Sequence, residues 1–321
     1  MDLDQSNVLV TGGAGFVASH IADLCVDKGA FVTVLDDFSE GKESNLAYCI
    51  DRGANLVNGD IRDSDFVDDL MSSLNIDIVF HLAADASVPR SVEDPVKHLG
   101  INIGGTTNVF SSAAKQKVEK VVFASSASVY GNPKSVPIRE TDPLLPVSPY
   151  GASKLSGEHI GMAMNKSLDL PFVAFRILNA YGARQRHNVK FDFLMKLLKN
   201  PRSLEVLGTG LQIRDYIYVT DVARAFVLGA ESDMNSGVFN ISSGIPTTIT
   251  EVAEAIVNEL NLDAELFFTG KSWPGDVDAL VGDNTLIKSE LGWEPTISFQ
   301  EGVSLLTKWF LEEYQSEANG K

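Results

Sequence analysis

Residues 7–20 read NVLVTGGAGFVASH, an apolar run that passes directly into a glycine turn. Val8, Leu9 and Val10 suit a buried strand, Gly12 and Gly15 allow a tight turn, and the helix that follows offers unpaired N–H groups to a pyrophosphate. The spacing is Gly12-x-x-Gly15-x-x-Ala18, with Thr11 in front and Phe16 and Val17 opening the helix. Taken alone, such a turn is equally a strand-to-helix connection that binds nothing. A second stretch, FVTVLDDFSEGKESN at residues 31–45, narrows the reading. Its strand ends at Asp36 and Asp37, about 20 residues beyond the turn, where a carboxylate hydrogen-bonds an adenosine ribose diol. Two adjacent acids with no arginine beside them repel a 2′-phosphate, so the expected cofactor is NAD rather than NADP.

Working outward, strand-like runs at 7–11, 31–35, 55–57, 76–81, 120–125 and 172–176 alternate with helix-like segments at 17–28, 64–74, 95–115 and 150–168. This alternation predicts an α/β fold with a doubly wound parallel (Rossmann) sheet. Beyond Arg176 the pattern loosens into shorter elements, with helices expected at 221–231 and 250–260. The expected organisation is a dinucleotide-binding domain over 1–176 and a smaller C-terminal α/β substrate domain over 177–321, with segments such as 214–231 returning to the first. At 321 residues, 44% hydrophobic and 21% charged, the chain can bury a full core. No apolar run approaches the roughly 20 residues of a membrane span, and the acidic start MDLDQSN does not resemble a signal peptide. With Cys25 and Cys49 in no metal-ligand spacing, a reduced, cytoplasmic protein without a metal site is expected. The net charge of −17 argues against nucleic acid as a partner and requires local help for any anionic ligand.

In an open α/β sheet, ligands lie beyond the carboxyl ends of the strands. Asp60 and Ile61, then Leu82, Ala83 and Ala84, then Ser125 and Ser126 fall there, and the small alanines admit a flat ring. In SPYGASK, Tyr150 and Lys154 stand four apart at the start of a predicted helix and so share a face. A phenol loses its proton near pH 10, but a nearby ammonium and an oxidised nicotinamide both favour phenolate, which can take a hydroxyl proton while hydride leaves the same carbon. Ser126 supplies a hydroxyl to orient the reacting oxygen. A surface helix acquires such a Tyr-x-x-x-Lys spacing by chance often enough that only its co-occurrence with the glycine turn and Ser126 gives it weight.

TGGAGFVASH, DDFSEGKESN, GDIRD, HLAA, SSASVYG and SPYGASK together resemble the extended short-chain dehydrogenase/reductase family, in its NAD-dependent nucleotide-sugar epimerase/dehydratase branch. The resemblance implies catalytic Ser126, Tyr150 and Lys154, and a retained NAD held by Gly12, Gly15, Phe16, Val17, Asp36, Asp37, Asp60, Ile61, Leu82, Ala83, Ala84, Asn102, Tyr150, Lys154 and Leu178. It also implies a nucleotide-diphosphate sugar met by Ser126, Tyr150, Asn179, Arg214, Lys271 and Asp276. The dehydratases of the family carry an Asp-Glu pair after the strand-end hydroxyl, and the decarboxylases a glutamate. Here Ala127 and Ser128 stand in those places. The implied activity is therefore an isomerase's: 4-epimerisation of a UDP-hexose, as between UDP-glucose and UDP-galactose, through a 4-keto sugar. UDP-N-acetylhexosamine or UDP-glucuronate 4-epimerisation is the alternative, ahead of dehydration, decarboxylation or a non-catalytic NAD-binding regulator. Leu280 stands at the position linked to N-acetyl tolerance. The family's arginine before Pro-Gly-Asp is replaced by Trp273, leaving Lys271 as the candidate charge. Helices around 102–115 and 151–168, with Ala113, Ala114, Ile160, Met162 and Met164, imply a homodimer.

Overall fold

The structure, a computed structural model, describes residues 2–271 and 277–319, with side chains to residue 314. Its strands are β1 (Asn7–Thr11), β2 (Phe31–Asp36), β3 (Asn55–Asn58), β4 (Ile78–His81), β5 (Lys120–Ser126), β6 (Phe172–Ile177), β7 (Asn179–Tyr181), β8 (Ser203–Val206), β9 (Ile213–Tyr218), β10 (Ser236–Ile241), β11 (Pro246–Thr248), β12 (Glu265–Phe268) and β13 (Ala279–Leu280). Its helices are α1 (Phe16–Asp27), α2 (Ala47–Ile50), α3 (Ser64–Leu74), α4 (Val88–Glu93), α5 (Pro95–Leu99), α6 (Thr106–Gln116), α7 (Pro149–Leu168), α8 (Val189–Lys199), α9 (Val219–Glu231), α10 (Ile249–Glu259), α11 (Thr285–Leu291) and α12 (Phe299–Asn319).

The main sheet has seven parallel strands in the order β10-β6-β5-β4-β1-β2-β3. Strands such as β4 and β5 are buried on both faces, which is why they read as unbroken apolar runs rather than alternating ones. One core, with Ile21, Cys25 and Phe226, lies under α1 and α9. Another, with Met71, Phe110 and Phe123, lies under α3, α6 and α7 on the opposite face. The doubly wound reading holds. The seventh strand, β10, comes from the C-terminal half and pairs with β6 through Ser236↔Phe172 to Ile241↔Ile177.

The helix expected over 95–115 is broken. After α5 the backbone runs through a π-helical turn at Gly100–Gly105 before α6 begins. Glycines at 100, 104 and 105 weaken the α-helical preference there, and the wide turn carries Asn102 inward, to 3% exposure.

Helix α7 starts on a strong local signal. Ser148 caps it by accepting from the Gly151 N–H at 3.1 Å, and Pro149 fills the first helical position. Gly157 and Gly161 then let it lie close on the sheet: a Cβ on either would stand 2.5 or 2.2 Å from the rings of Phe123 or Phe172. A buried ion pair joins it to β6, with Ser125 at the end of β5 drawn in. Arg176 donates to Glu158 through Nη2 (2.7 Å) and Nε (3.0 Å), Ser125 donates to the same carboxylate, and Arg176 also donates to the Tyr130 hydroxyl at 2.9 Å.

The smaller unit is built on β9, which pairs with β7 and β13 in parallel and with β11 antiparallel. Its core, with Tyr181, Phe193, Ile256 and Phe310, lies under α8, α10 and α12. Asp221 at the start of α9 fastens the two units: its carboxylate accepts from the N–H groups of Thr296 and Ile297, each at 3.0 Å. His20 and Asp23 of α1 meet Ala183 O (3.1 Å) and Arg184 (2.7 Å).

Removing one member of a buried ion pair leaves the other charge without compensation. Glu158→Ala is expected to lower stability by about 3–5 kcal/mol in urea melts, whereas an Asp68→Ala change at the exposed Lys115 pair should shift the melt far less.

Candidate functional site

The ends of β1, β4 and β5 and the first turn of α7 converge on one cleft. At its floor Gly12 adopts φ +67°, and a Cβ there would stand 2.7 Å from the backbone N and Cα of Ala83. Only glycine lets the turn come this close to Leu82 and Ala83. Gly15 precedes α1 with no side chain capping the helix and no acid in its first turn, which leaves the N-terminal N–H groups to an anion. Phe16 and Val17 pack against the cores of the small unit and the sheet, so they join the turn to both units.

Asp36 lies beside the glycine turn. Its carboxylate accepts from the N–H groups of Ala14 (2.9 Å) and Phe38 (2.8 Å), and burial pushes its pKa up against those two bonds. Two donors leave lone pairs free for a ribose diol. Asp37 instead turns outward and accepts from the Ser39 N–H and hydroxyl at 2.9 and 2.6 Å. Asp60 is engaged by Arg62 through Nε at 2.9 Å, which holds its carboxyl below the usual range, and Ile61 is buried in the sheet core. A glycine cradle, an uncapped helix start and a buried acid with spare acceptors form a donor set that fits NAD.

At the reacting end Lys154 is 5% exposed and donates to the Ala124 carbonyl at 2.9 Å, with the Phe123 ring 5.2 Å away. Burial lowers its pKa to about 8. Tyr150 is half-buried; burial raises its pKa, the Ser126 hydroxyl opposes the rise by hydrogen-bonding the phenol, and the Asp85 charge adds to it. Ser126 itself accepts from the Ser128 N–H at 3.2 Å. Tyr150 and Ser126 are thus brought together, while the Lys154 ammonium, one turn along the same helix, is turned to the Ala124 carbonyl. The phenol is protonated at neutral pH in this arrangement, so phenolate requires added positive charge, which an oxidised nicotinamide brings.

Asn102 is a clamp rather than an open contact. Its amide nitrogen donates to Asp85 O and to Ser153 Oγ, each at 3.0 Å, and lies 3.0 Å from His98 Nε2, and its oxygen accepts from the Asp85 N–H at 2.8 Å. Ser153 donates in turn to the Tyr150 carbonyl at 2.7 Å. Sequence reasoning missed this layer. Asp85 is paired by Arg90 at 2.9 Å, and His98 lies edge-on to Tyr150 with ring centroids 6.1 Å apart. Also missed was His81, fully buried, with Nδ1 2.7 Å from Thr11 Oγ1 and Nε2 2.9 Å from Thr106 Oγ1. Burial, aided by the Lys154 charge, holds it down to about 3, so the ring is neutral. A histidine at the end of an apolar strand gave no signal of that cross-link.

The second cluster of expected residues lies on the small unit. Asn179 donates to Asp215 O at 3.0 Å, and Arg214 donates to Ile213 O at 2.8 Å. Leu280 is the register partner of Arg214 and packs in a small core with Leu178. Asp215, which sequence reasoning passed over, is fully buried and accepts from the N–H groups of Ser243, Gly244 and Gly282 at 2.8–3.2 Å, fixing the strand on which Arg214 stands. Lys271 is exposed, its backbone joined to Thr269 and Gly208. Asp276 and Trp273 lie outside the described residues. Among those residues no cluster of potential metal ligands occurs, and no helix is long and apolar enough to cross a membrane.

A family model described as GDP-mannose 4,6 dehydratase matches residues 9–306. A putative UDP-glucose 4-epimerase of Methanocaldococcus jannaschii is 36% identical over 307 residues, covering 94% of this chain and 97% of the relative. The solved UDP-N-acetylglucosamine 4-epimerase of Methanobrevibacter ruminantium, in complex with UDP-N-acetylmuramic acid, superposes with a TM-score of 0.90 at 34% identity, over 97% and 99% of the two chains. The UDP-glucose 4-epimerase of Thermus thermophilus, in complex with NAD, gives 0.87 at 34% identity, over 96% and 99%.

His81 is neutral when folded, while an unfolded imidazole titrates near 6.5. The unfolded chain therefore binds the extra proton, and stability is expected to fall as pH drops from about 6.5 toward 3, by about 1.4 kcal/mol per pH unit from this group. Urea melts across that range check the slope, which should be shallower in His81→Gln.

Proposed function

The chain belongs to the GDP-mannose 4,6-dehydratase family of NAD-dependent nucleotide-sugar epimerases and dehydratases, and we propose that it is a nucleotide-sugar 4-epimerase interconverting UDP-glucose and UDP-galactose. One observation supports the reading: the chain carries Ser126, Tyr150 and Lys154 while Ala127 and Ser128 occupy the places where dehydration needs an acid and a base, and the Tyr150 phenol lies within hydrogen-bond reach of Ser126. What remains moves one proton and one hydride at one carbon.

Bound NAD supplies the hydride acceptor and donor. Gly12, Gly15, Asp36 and the Leu82–Ala84 backbone hold it, with Phe16, Val17, Asp37, Asp60, Ile61, Asn102 and Leu178 as the surrounding contacts or supports. Tyr150 takes the proton from the sugar 4-hydroxyl, and Ser126 orients that oxygen. Lys154, which donates to the Ala124 carbonyl here, would hold the nicotinamide ribose of bound NAD and offset the phenolate charge. The 4-keto sugar presents its other face while its nucleotide stays anchored at Asn179, Arg214, Lys271 and Asp276, and Tyr150 returns the proton. In this division of labour residues 1–176 hold the cofactor and 177–321 the nucleotide sugar. UDP-N-acetylglucosamine is the second reading, supported by the archaeal neighbour of that specificity and by a mid-sized Leu280 at the sugar end.

The working form proposed is a cytoplasmic homodimer that binds no nucleic acid. In support, Val92 and Val96 on α4 and α5 are 65% and 83% exposed, Ile160, Met162 and Met164 on α7 are only partly covered, and the net charge is −17. Ala113 is spent on the sheet core. Light scattering at micromolar concentration should give twice the 34.7 kDa chain mass; a single-chain mass overturns the dimer.

Tyr150→Phe should lower turnover of UDP-glucose and UDP-galactose by about 10²–10⁴-fold with little change in KM. Chromatography of a UDP-sugar panel checks this: wild-type turnover in the variant sinks the assignment, and a 4-keto-6-deoxy product would mark a dehydratase.

A further inference from the structure

Lys190, the second residue of α8, is 1% exposed and lies in the core of the small unit. No carboxylate among the described residues pairs with it. Its ammonium rests instead on aromatic faces, 3.0 Å from the Tyr216 ring centroid, 4.3 Å from Tyr181 and 5.7 Å from Phe299. Cation–π contact compensates only part of the cost of burying a charge. An amine left in that state needs another reason to be there.

The strand register supplies one. Asn179 and Tyr181 are two apart on β7, and Arg214 and Tyr216 are two apart on β9, so each pair shares a face of its strand. Asn179 pairs with Tyr216, which puts both pairs side by side on one surface. Lys190 caps the two tyrosines. It therefore sits over the immediate neighbours of the two residues proposed to anchor the substrate's diphosphate, since Tyr216 is the register partner of Asn179 and stands roughly 7 Å along its strand from Arg214.

We propose that Lys190 is a further binding residue for the substrate's diphosphate, a buried cation that completes the anion site of Asn179 and Arg214 from beneath. The inference rests on the nucleotide-sugar reading above. Its four-carbon stem lets the ammonium leave the rings for an oxyanion, and a low-dielectric surround strengthens its pull. Burial holds the Lys190 pKa well below that of a free amine. The other groups around it do not offset this: Tyr181 donates to Phe299 O at 3.1 Å, Glu301 of α12 acts on Tyr181 and Tyr218, and Asp192 of α8 is paired with Lys196 at 2.8 Å. An arriving diphosphate raises the proton affinity of the amine, so binding takes up a proton.

Calorimetric titration of the NAD-loaded enzyme with uridine and with UDP tests this. Lys190→Met should weaken UDP by about tenfold or more and leave uridine nearly unchanged, because only the diphosphate loses a charged partner. In wild type at about pH 8 the UDP enthalpy should vary with the ionisation heat of the buffer, showing proton uptake, and Lys190→Met should abolish that dependence. Should the variant not fold, the wild-type buffer series decides: no uptake overturns the proposal. Equal weakening of uridine and UDP, or an unchanged UDP affinity, also overturns it, as does a diphosphate-selective loss confined to Lys271→Ala. If wild type binds neither UDP nor uridine, the nucleotide-sugar reading itself falls; if it binds both and the variant matches it, the inference alone falls.

Discussion

The close approach of α7 to the sheet is the constraint from which the site follows. With no side chains at Gly157 and Gly161, the helix lies against Phe123 and Phe172, and its first turn reaches the carboxyl end of β5. That contact lets Lys154 reach the Ala124 carbonyl and sets Tyr150 beside Ser126. A Cβ at either glycine would lift the helix by more than an ångström, and misplacement of that order is enough to spoil proton transfer. The buried Glu158–Arg176 pair holds the same junction from below, joining α7 to β6 and, through Tyr130 and Asn240, to β10.

Desolvation then sets the charge state of nearly every group that matters. It lowers the proton affinity of Lys154, Lys190 and His81 and raises that of Tyr150 and Asp36. Each shift disfavours the charged form, and in the proposed mechanism ligands of opposite sign act against it at Tyr150 and Lys190. A cationic nicotinamide favours the Tyr150 phenolate, and a diphosphate favours the Lys190 ammonium. The site is organised so that charge appears as ligands arrive, in a molecule whose overall charge of −17 would otherwise oppose anionic ligands.

The two units are not successive along the chain. Strand β10 completes the large sheet from the C-terminal half, α9 packs on α1, and Asp221 ties the start of α9 to residues 293–297. A chain that crosses between units in this way holds the two units, proposed above to carry cofactor and nucleotide sugar, in fixed relation. Epimerisation needs that, because the keto sugar must turn while its nucleotide end stays in place.

The doubly wound sheet, the glycine turn and the common helix of Tyr150 and Lys154 were legible in the sequence, because each rests on local periodicity or on short spacings that a helix or turn converts directly into geometry. The sequence did not determine the π-helical turn at Gly100–Gly105, the seventh strand, or the partners of His81, Asp85, Asn102 and Lys190. Those depend on which distant segments meet: His81 lies 70 residues from Thr11, and Asn102 lies 51 from Ser153. Asp37 and Asp36 are neighbours in sequence with the same chemistry, yet one faces the glycine turn and the other serves its own loop. Only tertiary packing decides which acid is buried and which lysine loses its water, because desolvation is a property of the surroundings and not of the residue.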